Sequence, residues 1–200
     1  FKTQIDNDLK KIKFNLLNSG ILAELSLNKN NKNDITSGTF KSKILNTNLK
    51  FNFSYDDEKL QISNSYLRNK NLSFNNDITI IFNPFLQINS KILIEEFNPY
   101  LIQKVDLNKF LSFKNIIKKI NSESEIEFIS KKFSRDHIDN LNLKIDLAYG
   151  RMNYSKKLSI SDNFLNCSGD INFLEDFPLL FFNCNIKSND KQKFLKLFSI

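Results

Sequence analysis

Apolar and polar residues alternate along most of this chain, and the alternation predicts strands with one greasy and one wet face. Ile12, Phe14 and Leu16 alternate with Lys11, Lys13 and Asn15. After Ser19-Gly20 come Ile21, Ala23, Leu25 and Leu27, and residues 28–34 read as a polar turn. Phe40, Ser42 and Ile44 oppose Lys41 and Lys43. Leu49, Phe51, Phe53 and Tyr55 make the cleanest strand, with Lys50, Asn52 and Ser54 between them. Asp56-Asp57-Glu58-Lys59 turns the chain into a return strand that starts at Leu60-Gln61-Ile62. A weaker strand around 72–74 follows, then Ile78, Ile80 and Phe82 before Asn83-Pro84, then Leu86, Ile88, Ile92 and Ile94. This is the pattern of an antiparallel meander.

The period changes after Phe97. From about 106 to 120 it is helical, with Phe110, Phe113, Ile117 and Ile120 on one stripe and Ser112, Asn115 and Lys119 opposite. Alternation resumes at Ile126 and Phe128, runs cleanly through Leu141, Leu143, Ile145, Leu147 and Tyr149, and reappears around 158–160. The last hairpin is the best-defined unit. Leu165, Cys167, Gly169, Ile171 and Phe173 share a face, Glu175-Asp176-Phe177-Pro178 turns the chain, and Leu180, Phe182, Cys184 and Ile186 return. Asn189-Asp190 can cap a closing amphipathic helix over about 190–198, with Phe194, Leu195, Leu197 and Phe198 apolar. The whole predicts a mainly β fold: a long twisted antiparallel sheet curling into a groove or a sandwich, with two amphipathic helices. Two similar blocks, each about a hundred residues long, follow one another. No linker rich in Gly, Pro or Ser divides them, so residues 1–200 are expected to form a single domain.

Composition changes little. The chain has 200 residues, 40% hydrophobic and 26% charged, which is globular rather than disordered. It opens at Phe1 rather than Met and so reads as a segment of a longer protein. No apolar run reaches the length of a membrane helix; the densest, 78–82 and 179–182, are strand-sized. Phe is used 20 times and Trp never. The net charge of +7 invites an anionic partner. The positive residues are nevertheless spread along strands and turns, with Arg only at Arg68, Arg135 and Arg151, so the charge reads as compositional. Phe51 and Phe53 fall on the face opposite Lys50, whereas single-strand binders put aromatics and cations on one face. No nucleic-acid partner is expected.

The cysteines carry the most testable chemistry. A turn over 174–177 pairs Phe173 with Pro178, and the register then places Ile171 opposite Leu180, Gly169 opposite Phe182, and Cys167 opposite Cys184. Both thiols face the same way on adjacent strands. An oxidising compartment would join them; the alternative is two small thiols packed in a core. One His and two cysteines do not make a zinc site. His137, in Ser134-Arg135-Asp136-His137, reads as part of a turn. Gly-rich phosphate loops and Gly-x-Ser-x-Gly elbows are absent. Glu95-Glu96 and the trio Glu123, Glu125 and Glu127 read as solvated strand faces rather than a glycosidase pair. No enzymatic activity, metal or cofactor is expected.

The strand Gly169-Asp170-Ile171-Asn172-Phe173, the turn ending in Pro178, the second strand and the closing Asp190-Lys191-x-Lys193-Phe194-Leu195-Lys196-x-Phe198-x-Ile200 resemble the C-terminal region of AsmA-family envelope proteins. The resemblance is diffuse and covers about the last forty residues. It implies a protein anchored in the bacterial inner membrane by a segment outside this sequence and facing the periplasm. It further implies a groove-forming β-sheet that handles or transports lipid between membranes, or maintains the outer membrane. The partners would be lipid acyl chains. On that implication the groove-lining residues are Leu49, Phe51, Phe53, Ile78, Ile80, Phe82, Leu143, Ile145 and Leu147. A structural or protein-interaction β-domain with a closed core and no lipid cargo is the alternative, and in it the same residues are ordinary core.

Overall fold

Alternating side chains favour an extended backbone because successive Cβ atoms then point to opposite faces, one to be packed and one to be wetted. The computed structural model describes residues 2–5, 11–16, 20–30, 35–98, 113–129, 138–160 and 163–192, and nearly all of them are strand. The chain divides into two compact units, Phe1–Asn98 and Pro99–Ile200.

The first unit contains β1 (Lys2–Ile5), β2 (Lys11–Leu16), β3 (Ile21–Asn30), β4 (Ile35–Ile44), β5 (Thr47–Tyr55), β6 (Lys59–Arg68), β7 (Leu72–Ile81) and β8 (Gln87–Phe97). Each pairs antiparallel with the next in chain order. Local chemistry sets the turns. The Asp56 carboxylate accepts the Glu58 and Lys59 amides (3.0 and 2.8 Å), and the Asn69 side-chain carbonyl accepts those of Asn71 and Leu72 (both 2.8 Å). A bulge in β6 puts Asn64 at φ 49°, and its amide donates to Asp77 (3.2 Å).

The second unit contains α1 (Lys114–Ile117), β9 (Asn121–Ile129), β10 (Ile138–Ala148), β11 (Arg151–Ile160), β12 (Asn163–Asn172) and β13 (Leu180–Lys187). Its strands also pair antiparallel in chain order. Tyr149-Gly150 joins β10 to β11 as a two-residue turn with φ 49° and 82°, the mirror-image turn whose twist suits a hairpin. One end of the unit is closed. Phe173 and Ile117 are buried there, the Phe173 amide donates to Gly150 (2.8 Å), the Asn121 side chain accepts the Tyr149 amide (3.0 Å), and the Lys114 ammonium donates to the Glu175 carbonyl.

Both units are open antiparallel meanders, and neither folds its strands into a sandwich. The long helices are a correction. Where a helix over 106–120 was predicted, the described residues hold only the single turn α1, and β9 begins at Asn121. An isolated helix this short is not stable by itself, and burial of Ile117 is what holds the turn. Residues 106–112 lie outside the described residues. For the helix predicted over 190–198, the backbone is helical at 191–192, and Phe194, Leu195, Leu197 and Phe198 lie outside the described residues. So does His137. Smaller corrections concern ends: β3 runs on to Asn30, Tyr149 sits in a turn rather than a strand, and the last turn spans 173–179 rather than 174–177.

Candidate functional site

Paired residues on neighbouring strands share a face, so register alone assembles the surfaces of each unit. In the first unit Leu25, Phe40 and Phe51 form one row. Leu49, Leu67 and Phe74 form a second. Phe53 continues through Ile62 to Ile78, and Tyr55 through Leu60 to Ile80 and Ile88. Phe40 and Phe51 stack at 5.1 Å between ring centroids, and Phe51 meets Phe53 at 6.3 Å. Five of the six first-unit residues expected to line a groove therefore share one face: Leu49, Phe51, Phe53, Ile78 and Ile80. Phe82 does not. It lies just past β7 at the margin of the face, exposed, with its ring edge-on at 6.2 Å to Tyr55 of that face.

That face is apolar from β2 to β8. Among the described residues of the first unit no hydrophobic side chain is buried; Ile44 and Tyr55 at the margins of the face are exposed, and Leu49, Phe51, Phe53, Ile62 and Ile78 between them are half-buried. The buried side chains here are small polar ones, Ser42, Ser65 and Ser73. Gly38 lets Phe53 lie flat: a Cβ at that position would stand 2.7 Å from Phe53 Cζ and would also strike the Ser26 carbonyl.

The second unit repeats the device. Leu143 pairs with Ile126, Ile145 with Tyr154, and Leu147 with Met152, so all three expected residues share its apolar face. The face continues through Leu158 to Leu165 and Ile186. Cys167 and Cys184 are cross-strand partners on it, 4.1 Å apart at Cα and joined as a disulfide. Tyr154 lies across Gly169, where a Cβ would stand 2.8 Å from the ring. β13 is exposed along its length, with Phe182 66% exposed.

The polar face of the first unit holds what the sequence scattered. Lys13, Glu24, Lys41 and Lys50 fall in one cross-strand row, flanked by Lys11, Lys43 and Arg68. A hollow of about 630 Å³ lies among Lys13, Glu24, Lys41, Lys43, Tyr66 and Arg68. The Lys11 ammonium, 3.0 Å from Glu24, hydrogen-bonds that carboxylate and holds it below the usual range, and the charges of Lys13 and Lys41 push the same way. Arg68 stacks on Tyr66 at 4.9 Å and reaches Glu95 at 3.6 Å. Sequence spacing hides this cluster because its members come from five different strands between Lys11 and Arg68. Strict alternation plus the meander order would have found it.

Glu123, Glu125 and Glu127 line the polar face of β9, where Glu125 meets Lys144 at 3.2 Å. Among the described residues no group of His, Cys, Asp and Glu side chains is placed to hold a metal. No described helix is long and apolar enough to cross a membrane. Compared with known proteins, the chain matches no family model, no curated protein and no solved structure.

Proposed function

We propose that this chain is a length of an AsmA-like envelope protein that shelters lipid acyl chains on its apolar sheet faces. It works without catalysis, in lipid transport between membranes or in outer-membrane maintenance. The observation that carries this is the apolar face of the first unit. An eight-strand meander presents more than a dozen aliphatic and aromatic side chains on one face and buries none of them among the described residues. Apolar surface of that extent marks a binding site for something apolar. The disulfide supports an oxidising compartment such as the periplasm. The inner-membrane anchor belongs to a segment outside this sequence. The mechanism is passive. Leu49, Phe51, Phe53, Ile78 and Ile80 in one unit, and Leu143, Ile145 and Leu147 in the other, remove methylenes from water at roughly 0.8 kcal/mol each, while head groups stay wet.

The test is mass spectrometry of organic extracts from protein purified without detergent, beside a variant carrying Phe51→Asp and Phe53→Asp. The expected result is near-stoichiometric phospholipid on the wild type and its loss from a variant that still folds. A folded, lipid-free wild type overturns the proposal and leaves a structural or protein-interaction β-domain.

A further inference from the structure

In the middle of the first unit's apolar face, Leu49, Phe51, Phe53, Leu67, Phe74 and Ile78 run on without a charge between them. On the second unit's face a lysine interrupts the run. Lys156 sits in the middle of β11, cross-strand from Leu143 on β10 and from Cys167 on β12. Tyr154 and Leu158 flank it two residues away on the same face. It is half-buried, whereas its neighbour Lys157, on the polar face between Asn142 and Asn166, is exposed. Among the described residues no carboxylate shares its face, and no hydrogen bond or ion pair reaches it.

An open face tolerates this arrangement, because the lysine stem lies along apolar neighbours while the ammonium lifts into water. A covered face does not. An acyl chain laid across Leu143 and Leu158 would strip water from the ammonium, and a desolvated charge without a counter-charge is strongly unfavourable. The same chain with an anionic head group at that point replaces the lost water with a charge-assisted hydrogen bond.

We infer that Lys156 is a head-group subsite that selects lipids with an anionic head group for the second unit's face. This rests on the proposal that the apolar faces take acyl chains, and the test separates the two. The full chain is equilibrated with vesicles of equal phosphatidylglycerol and phosphatidylcholine, repurified, and its bound lipid quantified by mass spectrometry. With the first unit's face taking both lipids alike and the second selecting about tenfold, the effect of about one charge-assisted hydrogen bond, the wild type should carry phosphatidylglycerol enriched roughly two- to threefold over the vesicle ratio. Lys156→Met, close in volume, should bind as much lipid in total with the ratio returned to that of the vesicle. Lys156→Arg should keep the enrichment, and so should Lys157→Met, which removes the same charge from the opposite face. Equal uptake of both lipids by the wild type, or enrichment that survives Lys156→Met, overturns the subsite and leaves the acyl-chain proposal standing. A wild type that takes up no lipid overturns both.

Discussion

In the first unit Phe53 lies across Gly38, and in the second Tyr154 lies across Gly169. In each, a missing side chain on one strand lets an aromatic from the next strand lie flat on the apolar face. The units then part. The second closes one end with α1 and the 173–179 turn, buries Phe173 to 1% exposure, and ties its last two strands by the Cys167–Cys184 bond. The first has no comparable buried side chain among its described residues and is held by strand ladders and cross-strand pairs, which contribute about 0.2–1 kcal/mol each. The difference teaches that an apolar sheet face need not become a core. What decides is whether another element of the chain is brought over it.

The largest test of this contrast is a pair of truncations. Phe173→Ala should destabilise the second unit by about 3–5 kcal/mol, and Phe53→Ala the first by about 1–2 kcal/mol, because that ring is only partly buried. Urea unfolding followed by amide exchange resolved by unit reads both. Equal losses would mean that the first face is packed as tightly as a core. Next comes the disulfide, which closes a loop with a sequence separation of 17. Replacing both cysteines by serine should cost the second unit about 3 kcal/mol and leave exchange in the first unchanged. Alkylation of unreduced, denatured wild type should find no free thiol.

Smaller effects sharpen the likeness between the units rather than the contrast. Gly38→Ala and Gly169→Ala should each cost about 1–3 kcal/mol from the close approach of ring and carbonyl, with similar shifts in urea midpoint. A large loss at only one site would show that the aromatic-over-glycine packing is not shared. The smallest expected effect is electrostatic and belongs to the first unit alone. Glu24 has a folded-state pKa below its unfolded value, so its contribution to stability is full above the ordinary glutamate range and is lost as pH falls through the folded value. An acid titration of wild type against Glu24→Gln should show the two stabilities converging toward low pH, and the gap should shrink in high salt.

Much of this architecture was legible from periodicity. The register of the last hairpin, counted back from its turn, places Ile171 against Leu180 and Cys167 against Cys184, as found. The face shared by Leu49, Phe51 and Phe53 also follows directly from alternation. β11 was seen only over its last three residues, because Lys156 breaks the apolar run that would have announced Met152 and Tyr154 as one strand. The helix expected over 106–120 was legible as a period and is nevertheless only a turn in the described residues, since a helical stripe persists only where something packs on it.

By itself, then, the sequence determined which side chains share a face, because an extended backbone alternates them with period two whatever surrounds it. Tertiary structure alone decided how far each face is covered and which distant residues meet. Burial of Phe173 but not Phe53, the gathering of Lys13, Lys41 and Lys50, and the place of Lys156 among leucines all depend on which strand lies beside which, and neighbours are a property of the fold and not of the pattern.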